Sequence, residues 1–536
     1  MKEQMKKTKF LRGIVILLML IFVIANFMHW AKKKEVVFCD EFYSYEMANA
    51  QEEWCELYNS NIWRSGEWLN NYIAATDKNL GFGLISQHVR PDHVPLYTWL
   101  FRIVSIIFLG SSTKWIGLSI NLLCLIGIFA EVFFILHKMA KQSSIVSAIG
   151  AAAYCIHPLV LNSALMIRMY LMFQCILIFM LIIFERLLHG ERNKKTYCEL
   201  FLIAVCGFLT HKYIWLCLAI LSFLYCLYLF RERAWKEFRK FVFLMIGVAG
   251  TVTLLFPYWL PDLFVHKGAR TLVKAIKFWK EGWLKEIAWG LSRVLIDVST
   301  FGTAFYEAEI FQSGNLQITT GTVLITFFVL LALFTAYILK KKGERECGFC
   351  MLGIVSSFVY AIVVARTMPS PFYANRYIWP ISGVILLLVI MAFLGMMKEL
   401  LQKRSEKTVY IGSIFAATII FIAGVSLSWN GRGLDYVNGN GEERKDVILQ
   451  YKETPCVVYC ESLNFEVISS YWDYILFDNV CWVNEKEDGD TELKKILDER
   501  KEIVIYIKED EKSLLDGYTA EKLFQSYYMG AYLIKE

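Results

Sequence analysis

The sequence predicts an all-α polytopic membrane protein with a small C-terminal extracytoplasmic α/β domain, and three observations carry that prediction. Of 536 residues, 56% are hydrophobic and only 20% are charged, with a mean hydropathy of +0.43. Soluble chains run about 45–50% apolar and about 25% charged. Apolar runs recur from residue 13 to residue 429, and the basic residues between them gather in short clusters. Beyond residue 430 the pattern changes to short strand-like and helix-like runs in polar surroundings.

The elements follow in chain order. Residues 1–12 are basic, and an apolar stretch from Gly13 to Trp30 follows without a small-residue cleavage site, so it reads as a retained first transmembrane helix with a cytoplasmic N-terminus. Five basic residues precede it, against Lys32-Lys33-Lys34 after it. Residues 31–95 form a long outer loop. Apolar runs then recur at 96–109, 115–137, 144–164, 169–188, 197–211, 213–230, 241–260, 319–340, 348–365, 377–397 and 409–429. Most approach the roughly 20 residues that cross about 30 Å of hydrocarbon.

Basic clusters at Lys138–Lys141, Arg186–Lys195, Arg231–Lys240, Lys340–Arg345 and Lys398–Lys407 mark the cytoplasmic side under the positive-inside rule. The outward turns then fall at His157–Arg168, His211–Lys212, Pro261–Gln317 and Arg366–Arg376. Segment 96–137 must cross an odd number of times yet holds two apolar runs. The expectation is therefore about 11–13 crossings.

The chain divides into a transmembrane module, 1–429, with outer loops 31–95 and 261–317, and a soluble domain, 430–536. In the latter, Cys456–Cys460, Val480–Val483 and Ile503–Ile507 read as strands, and Glu442–Tyr451 and Asp490–Glu499 as helices. Its place after the last outward helix puts it outside the cell. No repeat of 20–50 residues is visible.

Several function classes drop out. The net charge of +6 is a topology signal, which makes nucleic acid a poor partner. No CxxC pair or His-rich tract suggests structural zinc. Among the 14 Cys, Cys39 with Cys55, or Cys456 with Cys460 or Cys481, are the pairs open to a disulfide.

The residues that could carry chemistry gather at the outer ends of helices. Asp40-Glu41 is an adjacent acidic pair just after the first helix, suited to acid/base work, to a cation, or simply to a helix start. Arg90 to Tyr97 (RPDHVPLY) re-enters the membrane, with Pro95 suited to a helix start and Tyr97 to the interface. Arg168-Met169-Tyr170, Thr210-His211-Lys212-Tyr213 and Asn375-Arg376-Tyr377 each open a helix from outside. Singly, each fits a capping or snorkelling side chain. Jointly, carboxylates, imidazoles and cations on one face suit chemistry on an anionic lipid.

In this order the motifs resemble those of the GT-C superfamily of polyprenyl-phosphate-sugar-dependent glycosyltransferases. The nearest branch is that of dolichyl-phosphate-mannose–protein mannosyltransferases and bacterial aminoarabinose transferases. Asp40-Glu41 matches the acidic pair of its first outer loop, and His93-Val94-Pro95-Leu96-Tyr97 its His-Pro-Pro-Leu-Tyr entry, with Val94 for the first Pro. Arg168-Met169-Tyr170, a Thr-His-Tyr with Lys212 inserted, and Arg376-Tyr377 complete the set.

The resemblance implies a GT-C-like fold and inverting transfer of a sugar from a polyprenyl-phosphate donor to an acceptor hydroxyl at the extracytoplasmic face of a plasma membrane. It implies Asp40 as general base, with Glu41, the other catalytic carboxylate, supporting Asp40, orienting the acceptor or binding a cation. Donor phosphate falls to Arg168 and Arg376, then Lys212 and Arg90. His93, Tyr97, Tyr170, His211 and Tyr377 become substrate-binding positions, and His211 the ligand if a divalent metal takes part. The acceptor is a protein, a glycan or a lipid. The loop stretch Lys274–Val298, with Trp279, Trp283 and Trp289, fits an interfacial guide for the lipid or a packed juxtamembrane helix. The rival classes are a transporter or lipid flippase, and a structural or sensory membrane protein with an external ligand-binding domain.

Overall fold

The computed structural model describes residues 2–34, 38–50, 60–77, 80–81, 94–259, 344–367, 371–429, 441–460, 468–485, 488–526 and 529–535, with single positions at 291, 294, 298 and 434. Arg90, His93, most of loop 261–317, the run 319–340 and Cys55 lie outside the described residues.

The first helix, α1 (Lys2–Lys33), leads into the short α2 (Cys39–Asn49), which carries the acidic pair. A two-residue strand, β1 (Trp63–Arg64), and the helix α3 (Gly66–Ile73) follow, and α4 (Leu96–Ile107) re-enters the helical body. At 1.5 Å per residue the 12 residues of α4 reach about 18 Å, well short of the hydrocarbon thickness. Its Arg102 is fully buried and donates to Asn49 Oδ1 at 2.9 Å. In segment 96–137 only α5 (Trp115–Phe134), with its π-helical continuation to Met139, is long and apolar enough to span.

A bent pair comes next, α6 (Ser144–Cys155) and α7 (Pro158–Leu165), 58° apart. The expected outer turn at His157–Arg168 is thus mostly helix. His157 Nδ1 caps it by accepting from Leu159 N, and Pro158 stands at its first position, where a missing N–H costs nothing. Then come α8 (Tyr170–Leu188), α9 (Lys194–Thr210), α10 (Lys212–Arg231), α11 (Trp235–Leu255), α12 (Arg345–Thr367), α13 (Pro371–Leu401) and α14 (Glu406–Trp429).

Among the described residues eight helices are long and apolar enough to span, or nine with the bent pair. This falls below the 11–13 expected. Helix α4 is too short, α9 has 17 residues, and 319–340 is outside the described set. The protein is a multi-pass membrane protein. Helices α8 and α13 form its centre: 78% and 72% of their apolar windows are buried, against 17% for α1 and α11.

The C-terminal domain opens with α15 (Gly441–Gln450) and β2 (Cys456–Cys460), followed by α16 (Tyr471–Tyr474), β3 (Val480–Asn484), α17 (Gly489–Glu499), β4 (Glu502–Lys508), β5 (Thr519–Ser526) and β6 (Met529–Lys535). The six strands lie in the order β1-β3-β2-β4-β6-β5, with β2 parallel to both β3 and β4 and the other pairs antiparallel. One face (Val457, Tyr459, Ile503, Ile505) packs on Leu493, Ile496 and Leu497 of α17. The other joins the core that continues into the helical module.

Cys456, Cys460 and Cys481 are not joined by a disulfide. Cys456 and Cys460 sit four residues apart along β2, about 13 Å, while Cys481 faces the opposite side of the sheet. Cys39 is free as well. The boundary at 430 is also crossed by the sheet itself, because β1 of the first outer loop pairs with β3 through Trp63↔Cys481 and Arg64↔Val480.

Further bonds fasten this junction. Gly66 N donates to Phe477 O at 3.0 Å, Tyr471 Oη to Leu69 O at 2.9 Å, and Trp472 Nε1 to Ser112 O at 3.0 Å. The Phe42 and Tyr471 rings meet at 4.7 Å. The acidic loop and the C-terminal domain thus share one face of the molecule.

A Cβ on Gly66 would stand 2.3 Å from Phe477 O and 2.4 Å from Ile475 O, both unyielding backbone atoms. Gly66→Ala should therefore cost about 1–3 kcal/mol of local stability. Limited proteolysis should cut the junction of the variant faster; an unchanged rate would deny the close approach.

Candidate active site

The site is assembled at the N-terminal ends of α8, α10 and α13, against α2. Helix α2 starts at Cys39, and Glu41 caps it by accepting from Phe38 N at 2.7 Å. This turn separates the two acidic neighbours.

Asp40 keeps 14% of its side chain exposed, and its Oδ2 lies 2.7 Å from Nη2 of Arg376, itself 11% exposed. Arg376 Nε donates to Tyr170 Oη at 3.1 Å, and its guanidinium lies over the Phe38 and Tyr377 rings at 5.2 and 5.3 Å. Glu41 by contrast is wholly buried. Its oxygens accept from Lys34 Nζ, Phe38 N and Ile167 N, the last at 2.6 Å.

Arg168 sits in the turn between α7 and α8 and meets α2 at Ser44, one helical turn along from Asp40. It is 4% exposed and donates from Nη1 to Ser44 Oγ at 3.2 Å. Its Nε is buried without a hydrogen-bond partner, and no carboxylate among the described residues pairs with it. Tyr97, at the start of α4, is 4% exposed with a similarly unpartnered Oη.

Burial, and next to it the Asp40 carboxylate, pushes the Cys39 thiol up to about 12, with Arg376 and Arg168 pulling the other way. Tyr43 is raised to about 12 mainly by burial.

An aromatic wall backs these charges. His211 Nδ1 accepts from Tyr213 N and so caps α10, in an outer turn where the sequence placed it. The His211 ring lies 5.7 Å from Tyr170 and 5.8 Å from Tyr377, stacked on Phe173 and Tyr213. Tyr360 Oη fixes the start of the neighbouring helix by donating to Tyr377 O at 2.7 Å. Lys212 stands next to His211 at the first position of α10, half-buried.

Asp40, Arg168, Tyr170, His211, Arg376 and Tyr377 are thus brought together, though they come from four elements distant in sequence. Ser44, Lys34 and Tyr360 were not singled out from sequence. Ser44 has one usable signal, its place one turn from Asp40 on the same helix. Among the described residues no group of three or more His, Cys, Asp or Glu could hold a metal ion, and the surroundings of His211 are aromatic. The residues described around His211 do not make a ligand set, and no step below passes through a metal.

No family model matches the chain, and no curated protein matches it either. Solved structures do. The chain is similar to ArnT from Cupriavidus metallidurans bound to undecaprenyl phosphate, with a TM-score of 0.53 at 12% identity, over 97% of each chain. It is similar to the apo state of the same ArnT, with a TM-score of 0.51 at 10% identity, again over 97% of each chain. Such identities carry the fold alone: the chain shares the fold of that ArnT over nearly its whole length.

Because the Cys39 thiolate fraction at pH 8 is minute, iodoacetamide should modify Cys39 far more slowly than a free thiol of ordinary pKa. Peptide mass spectrometry of the folded protein reads this directly; rapid labelling would contradict the buried, Asp40-facing environment.

Proposed function

We propose that this chain is an inverting membrane glycosyltransferase that moves a sugar from a polyprenyl-phosphate donor to an acceptor hydroxyl at the extracytoplasmic face. The observation that carries the reading is Arg168, a buried guanidinium with an unpartnered Nε and, among the described residues, no carboxylate partner, held by Ser44 one turn along α2 from the partly exposed Asp40. A buried cation without an anion is costly, so its retention points to an anionic ligand. Undecaprenyl phosphate, which the ArnT of similar fold binds, supplies such an anion.

In this reading Asp40 takes the proton from the acceptor hydroxyl as that oxygen attacks the anomeric carbon. The bond from that carbon to the phosphate oxygen breaks on the opposite face, inverting the centre, and the polyprenyl phosphate leaves with the electron pair. Arg168 and Arg376 meet the phosphate charge as it develops. Both are held in place, Arg168 by Ser44 and Arg376 by Tyr170, so little reorganisation accompanies the step. A guanidinium suits the task because it offers a phosphate two parallel donors. Tyr97, with its buried unpartnered Oη, and the packed His211 and Tyr377 rings are the candidates for holding the sugar. Arg90 and His93 are further candidates for the phosphate and the sugar, and Lys212 for the phosphate.

Topology supports the sidedness. With the N-terminus in the cytoplasm, α1 delivers α2 to the outer side, and the C-terminal domain lies on that same side through β1 and β3. The transporter reading expects charge buried midway along broken spans. Here the acidic pair and both arginines gather at helix ends beside an external domain.

Asp40→Asn should lower sugar transfer about 10²–10⁴-fold in membranes supplied with labelled donor, while insertion is normal. Full activity would remove Asp40 from the mechanism. Arg168→Ala should cost about 10²-fold in kcat/KM for the donor. Unchanged donor kinetics would reject it as the phosphate partner.

A further inference from the structure

We propose that Lys34, Glu41 and Ser44 form a bracket that positions Arg168. The second carboxylate of the acidic pair then works through a guanidinium rather than on the acceptor. The inference rests on the reading of Arg168 as the donor-phosphate partner.

The bracket closes on Ile167, the residue before Arg168. Its N–H donates to Glu41 Oε1 at 2.6 Å, and its carbonyl accepts from Ser44 Oγ at 3.1 Å. Both polar groups of that residue are therefore held by α2, from positions one turn apart. Ser44 Oγ also accepts from Arg168 Nη1 at 3.2 Å, so one hydroxyl fixes the backbone and the guanidinium together. With two hydrogen bonds on the backbone and one on the side chain, Arg168 keeps its orientation toward α2 and Asp40.

Every group among the described residues that hydrogen-bonds to Glu41 is a donor, so its carboxylate serves here as an acceptor. Oε2 takes the Phe38 N–H at 2.7 Å, and Lys34 Nζ lies 2.9 Å from Oε1 and 3.0 Å from Oε2. Neither Lys34 nor Glu41 has any exposed side-chain surface. A carboxylate buried this fully stays charged only with a counter-charge beside it. Lys34 supplies it, although burial draws the ammonium below its ordinary pKa while Glu41 opposes that shift. Three donors on a fully buried carboxylate leave no approach for an acceptor hydroxyl. Asp40, the exposed member of the pair, has one.

The test uses the purified full-length protein and undecaprenyl phosphate alone, with no sugar and no acceptor present. Lys34→Met and Glu41→Gln should each weaken lipid binding about tenfold, Ser44→Ala about threefold to tenfold, and Lys34→Arg should restore most of the loss. In an Arg168→Ala background the same substitutions should each change binding less than about twofold, because their effect passes through that side chain. Equal losses in both backgrounds would overturn the bracket, and so would a Glu41→Gln variant that binds as tightly as the native chain. Where Lys34→Met fails to fold, the mild Ser44→Ala truncation completes the cycle alone. A native chain that does not bind the lipid would sink the donor reading itself, an outcome distinct from either of these.

Discussion

Charges next to a hydrocarbon slab are expensive, and the eleven residues of α2 are where this protein meets that cost. Asp40 is matched by Arg376, Glu41 by Lys34, and Ser44 by Arg168 and the Ile167 carbonyl. Removing one member of a buried ion pair leaves the other uncompensated, typically at about 3–5 kcal/mol. Each contact also ties α2 to a different part of the chain. The charge-matching that lets α2 exist at the membrane boundary is the same set of bonds that assembles the site.

The helical frame explains why the site stands where it does. Tyr170 opens α8 and Arg376-Tyr377 lie near the start of α13, the two helices most enclosed by their neighbours. Side chains at the ends of such helices inherit their rigidity, which a preorganised anion site needs. The C-terminal domain lies against the same end of the helical body as α2. Through β1 it shares a sheet with the first outer loop, and through Tyr471 and Trp472 it packs on Phe42 and Tyr45 of α2. The domain is thus fastened to the helix that carries Asp40, rather than tethered to the last span alone.

Local pattern made much of this legible. Each apolar run within the described residues falls on an observed helix, or for 144–164 on the bent pair, and Cys456–Cys460 is a strand with the expected bounds. The Arg-Met-Tyr, Thr-His and Arg-Tyr starts converge because all sit at the same end of the helical body, which hydropathy and basic clusters can order. What stayed hidden depends on non-local pairing. Lys34 reads as one more lysine in a basic flank, and only the fold reveals that it alone of the three is buried against Glu41. The strand β1 has two residues and no periodicity to announce it, and β5 is polar enough to pass for a loop. Asp40 and Glu41 look equivalent in sequence. Their different burial follows from a helix cap and a turn elsewhere in the chain.

The central claim is that Arg168, held beside Asp40, receives the phosphate of a lipid donor. An electron cryo-microscopy map of the protein in nanodiscs with a non-hydrolysable polyprenyl-phosphate sugar tests it most directly. The account requires phosphate density within hydrogen-bond distance of Arg168, with the anomeric carbon on the side facing Asp40. Phosphate density bound away from both Arg168 and Arg376, or a sugar turned from Asp40, would contradict it.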